Sequence, residues 1–175
     1  MSEYDEVVAS FNLEQLDNNR FRSRSPQFGW RRIYGGLLLA HALRAAQLTI
    51  PDPDRVPHSL HGYFLRPGLI DEPLELSVER LLDGRSIANR RVTVMQGSKP
   101  VFCLQASFRV AGSGLVHETA MPAADPPETL PVEAEIVAHH GAVLSAGAQT
   151  YLAREKVFEI RPVDHELFVF PEPER

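Results

Sequence analysis

Gly35-Gly36-Leu37-Leu38-Leu39-Ala40-His41-Ala42-Leu43-Arg44-Ala45-Ala46-Gln47-Leu48-Thr49-Ile50 reads as a helix that is apolar on almost every side. Its strongly polar members, His41, Arg44 and Gln47, recur every third residue and form one narrow stripe, whereas a surface helix turns about half its circumference to polar groups. Such a helix must be wrapped. At roughly 20 Å it is too short to cross a bilayer, so the wrapper has to be protein. Gly35 and Gly36 let the chain turn tightly into it, and its first free N–H groups suit a partial negative charge. Pro51 and Pro53 end it.

Downstream the period changes from helical to two. His58, Leu60, Gly62, Phe64 and Arg66 share one strand face, with Ser59, His61, Tyr63 and Leu65 on the other. Leu74, Leu76, Val78 and Leu82 alternate with Glu75, Ser77 and Glu79, and Asp83-Gly84 closes a hairpin into a strand carrying Ala88, Val92 and Val94. Gly97-Ser98-Lys99-Pro100 makes the next turn, after which Phe102, Leu104, Ala106, Phe108 and Val110 alternate with Val101, Cys103, Gln105, Ser107 and Arg109. Three long strands joined by short turns form an antiparallel meander. A buried helix followed by such a sheet is an α+β arrangement in which the sheet curls around the helix.

Upstream, Val7, Val8, Phe11, Leu13 and Leu16 suit a short amphipathic helix at the domain edge. Residues 20–25 alternate as a first strand stopped by Pro26, with Phe28 and Trp30 packing beyond it. Composition shifts after residue 110: Gly112, Gly114, Pro122, Pro126, Pro127 and Pro131 mark a linker, residues 132–156 suit a helix interrupted by Gly141 and Gly147, and residues 158–163 resume a strand-like pattern.

A chain of 175 residues with 43% hydrophobic and 23% charged residues can bury one good core. A formal net charge of -5 gives no electrostatic case for nucleic acid or an anionic membrane as partner. The single cysteine, Cys103, cannot form an internal disulfide, and residues 1–6 lack the basic start and apolar core of a secretory signal, so a cytoplasmic location is expected.

Phe21-Arg22-Ser23-Arg24-Ser25, Tyr34-Gly35-Gly36 with the following helix, His58 to Gly68, Asp83-Gly84-Arg85-Ser86 and Ala106-Ser107-Phe108 together resemble the type-II acyl-CoA thioesterases, five segments in order across roughly residues 10–165. The resemblance implies a double hotdog, two copies of a long helix wrapped by an antiparallel sheet, and hydrolysis of acyl-CoA to fatty acid and CoA without a cofactor or metal. It implies a hotdog domain over residues 1–110, a linker with a helix over 111–157 and the start of a second, incomplete hotdog unit over 158–175. Gly35, Gly36, Tyr63 and Arg66 become the substrate-binding candidates, and hotdog pairing implies a homo-oligomer. Two departures matter: Leu37 and His41 stand where the family usually or commonly carries glutamine, and the family's catalytic Asp, Thr and Gln lie in the second unit, with no counterpart here.

Thioester hydrolysis needs an activated water or a carboxylate nucleophile, plus donors for the oxyanion. No G-x-S-x-G elbow is present. Cys103, mid-strand among apolar neighbours, reads as a structural thiol. His58 and His61 are the remaining catalytic candidates, but their odd spacing directs them to opposite strand faces, against shared metal ligation. His139 and His140 read as a surface pair. Arg66, Arg85, Arg90 and Arg91 have the guanidinium forks that suit CoA phosphates, and salt bridges with Glu75 and Glu79 are the competing use. Two functions stay open: a thioesterase completed by a second unit, and a non-catalytic hotdog module that pairs with a partner or holds an acyl group. A hotdog hydratase lacks its Asp-x-Asn-Pro-x-His pattern.

Overall fold

A computed structural model of the chain describes residues 2–27, 31–153 and 156–164. The chain divides into two compact units, residues 1–114 and 115–175. The first contains α1 (Glu3–Ser10), β1 (Glu14–Gln15), β2 (Arg20–Ser23), α2 (Gly35–Leu48), β3 (Arg55–Phe64), β4 (Leu74–Asp83), β5 (Ile87–Gln96) and β6 (Lys99–Val110). The strands form one antiparallel sheet in the order β1-β2-β4-β5-β6-β3. The β4-β5-β6 meander is the expected one. β3 instead crosses over to the far side of β6, and becomes an edge strand with no neighbour beyond it among the described residues.

Alternation places Leu74, Leu76 and Val78 of β4, Val92 and Val94 of β5, and Phe102, Leu104, Ala106 and Phe108 of β6 against Leu37, Leu38, Ala42, Ala45 and Ala46 of α2. The small alanines on that face let the helix approach the sheet closely. The wrapper is nevertheless incomplete. Gly36, Gln47 and Leu48 are exposed, and Leu39 and Leu43 only partly covered, so one flank of α2 stays open. The polar stripe also splits. His41 is fully buried, Arg44 half-buried and Gln47 exposed, because a three-residue step drifts around a helix of 3.6 residues per turn.

α1 begins with a reciprocal cap, Ser2 Oγ accepting from the Asp5 N–H (3.2 Å) and Asp5 Oδ2 from the Ser2 N–H (2.9 Å). Phe28 and Trp30 lie outside the described residues.

In the second unit the helical pattern resolves into α3 (Glu133–His140) and α4 (Ala146–Leu152), separated by a 3-10 turn at Gly141–Val143. Ser145 caps α4 through the Ala148 N–H (3.2 Å), the half-buried Lys156 pairs with buried Glu133, and Arg161 donates to the carbonyls of Pro127 and Leu130. Residues 158–163 are irregular despite their strand-like pattern, since a strand needs a neighbour to pair with. Among the described residues no helix is long and apolar enough to cross a membrane.

Candidate functional site

The amino end of α2 carries the first candidate. Tyr34 precedes it in extended backbone and makes no side-chain cap, so the Gly35 and Gly36 N–H groups point out of the helix with the positive end of its dipole. The two glycines leave room for neighbouring rings: a Cβ on Gly36 would meet the exposed Tyr34 ring at 2.5 Å, and one on Gly35 would meet the Phe64 ring at 3.1 Å.

Beside this end opens a cavity of about 400 Å³, lined by the apolar Ile33, Leu38, Phe64 and Leu65 together with Arg32 and Arg66. Its wall, the segment after β3, is tied down. Leu65 and Arg66 N–H donate to the Val101 carbonyl (2.9 and 3.2 Å), Arg66 Nη1 donates to Pro100 O (2.8 Å), and Ile33 N–H donates to Gly68 O (2.8 Å). The buried Gln96 amide adds a clamp, accepting from the Leu69 N–H and donating to the Leu69 and Glu72 carbonyls. Phe64 leans on Phe102 with ring centroids 4.8 Å apart, yet is itself 61% exposed.

A second recess, about 520 Å³, lies on the sheet face turned away from α2. There Ser59, His61 and Tyr63 of β3 stand opposite Ser107, Gln105 and Cys103 of β6, with Asn89 and Arg91 of β5 beyond. A bulge in β3 at His58 corrects the expected opposition of the histidines: His58 and Ser59 together face Ser107, and the His58 ring reaches Ser107 Oγ at 2.9 Å. Both histidines therefore share the outer face. His61 packs against the Tyr63 ring (4.7 Å). The structure thus brings Gly35 and Arg66 together at one cavity, with Gly36 at its helix, and sets Tyr63, His58 and His61 on the opposite face of the sheet. His139 and His140 contact each other edge-on in the second unit.

The other arginines separate by partner. Arg90 is fully buried and in phase with Ala88, Val92 and Val94. All five of its donors are used: Nε to Thr49 Oγ1 (2.8 Å), Nη1 to Leu82 O and Asn89 O (3.0 and 2.9 Å), Nη2 to Thr49 O and Asp83 Oδ1 (3.2 and 2.5 Å). It clamps the carboxyl end of α2 to the β4–β5 hairpin and has nothing left for a ligand. Arg91 grips Glu79 with two contacts on the outer face (3.1 and 2.6 Å).

His41, at the middle of α2, is held between Ser10 Oγ on Nε2 (3.0 Å) and Ser23 Oγ on Nδ1 (3.2 Å). Ser10 gives its own proton to Val7 O, so it accepts from Nε2–H and leaves Nδ1 as acceptor for Ser23. Burial pushes this imidazole down to about 4. It is a neutral pin joining α1, α2 and β2.

The cavity at α2 can therefore receive a polarised or anionic group at its mouth and an apolar chain within. Among the described residues lining it there is no carboxylate, imidazole, thiol or hydroxyl to activate water. Arg32, Phe64 and Gln96 were not singled out in the sequence. Gln96 had a readable signal, its phase with the buried positions of β5.

The chain's residues 22–109 match the profile of the acyl-CoA thioesterase N-terminal domain. Over 155 residues the chain is 33% identical to acyl-CoA thioesterase 2 of Haemophilus influenzae, covering 89% of this chain and 54% of that protein. A tesB protein of Mycobacterium avium subs paratuberculosis superposes with a TM-score of 0.67 at 37% identity, over 73% of this chain and 50% of that one. A hot dog fold protein from Alicyclobacillus acidocaldarius, 23% identical, superposes at 0.62 over 75% of this chain and 49% of its own, and shows the fold. The chain spans about half the length of these relatives, and it belongs to the acyl-CoA thioesterase N-terminal domain family, with a hotdog fold.

Proposed function

We propose that this chain is the amino-terminal half of a fatty acyl-CoA thioesterase, releasing free fatty acid and CoA once a second hotdog unit completes the site. The observation that carries the reading is the cavity at the uncapped start of α2, where the outward Gly35 N–H meets an apolar lining of Ile33, Leu38 and Phe64. The thioester carbonyl sits at that N–H, and the acyl chain runs along the lining. The carboxylate that activates water comes from the second unit. That unit, or another copy of this chain, adds to the free β3 edge, where Leu60 and Phe64 extend the core row into solvent at 41% and 61% exposure. The setting is cytoplasmic fatty acid metabolism.

The carboxylate-free lining of the cavity also supports the second reading, a non-catalytic module that holds an acyl group or pairs through β3. Incubation of the purified 175-residue chain with decanoyl-CoA, following thiol release, separates the two. Release above background is expected only if copies or a supplied second unit complete the site, and binding without release under every pairing leaves the module. Light scattering tests the pairing: a dimer is expected, Leu60→Lys shifts it to monomer, and a well-behaved wild-type monomer overturns β3 pairing.

A further inference from the structure

We infer that Arg32 and Arg66 form a phosphate-receiving pair, so that a coenzyme A thioester lies across the mouth of the α2 cavity with its diphosphate outward and its acyl chain inward. The inference rests on the acyl-thioester reading above and adds which part of the substrate this chain recognises by charge.

The arginines of the first unit divide by what they hold. Arg20, Arg22, Arg55, Arg90 and Arg91 each pair with a carboxylate. Arg32 and Arg66 pair with none among the described residues, and they are the two charged groups lining the cavity. Other arginines of this unit, Arg44 and Arg85 among them, also show no carboxylate partner among the described residues, and what sets Arg32 and Arg66 apart is that they share one carboxylate-free recess. Solvated cations scattered over a surface need no explanation, but these two share a recess with the positive end of α2, so their fields add at its mouth.

Their supports are rigid where it matters. Arg66 spends one donor on Pro100 O, which orients the guanidinium, and retains the rest. Arg32 is exposed, and its backbone pairs with Leu69, itself held by Gln96. Two planar forks offer paired donors of the geometry that phosphate oxygens accept. A lone carboxylate needs one fork, whereas a diphosphate uses both. The apolar lining beyond favours an anion carrying an apolar tail over inorganic phosphate. Of the remaining arginine candidates, Arg85 lies exposed in the β4–β5 turn and outside the cavity lining, Arg90 has its donors spent, and Arg91 has its fork occupied by Glu79 on the other face.

Calorimetric titration of the 175-residue chain with decanoyl-CoA and with decanoyl-pantetheine, which keeps the thioester and has no phosphate, tests this. The CoA thioester is expected to bind about tenfold tighter or better, the size of a charge-assisted contact. That advantage should shrink as salt rises and fall to near unity in Arg32→Ala, be partly restored by Arg32→Lys, and leave decanoyl-pantetheine binding unchanged throughout. Equal affinities for the two thioesters, or an advantage that survives Arg32→Ala, overturn the phosphate pair while the acyl-thioester reading stands. If neither thioester binds, both fall. Inorganic phosphate or ADP competing as strongly as CoA itself overturns the thioester as the source of the phosphate. Far-ultraviolet circular dichroism of each variant confirms that the fold is retained.

Discussion

The two ends of α2 are built on opposite plans. At its carboxyl end Arg90 closes the helix, satisfying the Thr49 carbonyl and hydroxyl, two β4–β5 carbonyls and Asp83 from a position with no solvent contact. Beside it Arg55 holds the hairpin through the Gly84 and Arg85 carbonyls at 2.9 Å. At the amino end the Tyr34 side chain makes no cap, two arginines lack carboxylate partners among the described residues, and Tyr34 and Phe64 lie mostly exposed. The same residue type does different work at the two ends because its surroundings differ. Where every donor is used, arginine is a strut. Where donors face an open recess, it is available to a ligand. Composition does not separate the two, and hydrogen-bond inventory does.

That contrast can be broken by substitution. The largest effect is expected from Arg90→Ala, which strands several buried acceptors and should cost about 3 kcal/mol or more in chemical denaturation, while Arg90→Lys recovers only part. A loss below about 1 kcal/mol would show that this end is not the strut described here. A comparable effect is expected on acidification, through His41. Its imidazole sits at about 4 when folded against an ordinary value of 6.5, so the unfolded chain takes up a proton first as pH falls. The contribution is fully present above about pH 6.5 and is lost between there and pH 4, about 3 kcal/mol in all. Melting temperature against pH should therefore fall less steeply in His41→Gln, and parallel curves would remove His41 from the account. Arg32→Ala should change stability by less than about 0.5 kcal/mol, in deliberate contrast to Arg90. The smallest change is expected from Gly36→Ala. The new Cβ meets only the exposed Tyr34 ring, which can swing aside, and helix propensity offsets the contact, so stability should move by no more than about 0.3 kcal/mol either way.

Much of this fold is legible locally. The helix at 35–48 follows from its apolar run and its proline stop, and β4, β5 and β6 follow from alternation and short turns. The crossing of β3 to the far side of β6 is not, because it depends on pairing between segments some fifty residues apart. The shared face of His58 and His61 is hidden for a related reason: a bulge exists only relative to the partner strand, and period counting assumes that none is present. Arg90 was readable in principle, since it keeps phase with Ala88, Val92 and Val94, but a long charged residue in that phase suggests exposure until its five acceptors are known. Arg32 gave no periodic signal, and its place beside Arg66 emerges only from the Arg32–Leu69 bridge.

The bulge at His58 also works as a change of parity. Beyond it, odd-numbered residues of β3 face outward, as Ser59, His61 and Tyr63 do. Before it, the odd-numbered Pro57 sits opposite the buried Phe108, and the even-numbered Val56 stands outward beside Arg109 and Ile87. One inserted residue thus lets a single strand obey two opposite inside-outside codes. Deleting His58 would therefore remove the bulge and leave every other residue of β3 on the face it already holds, at the cost of the His58–Ser107 contact.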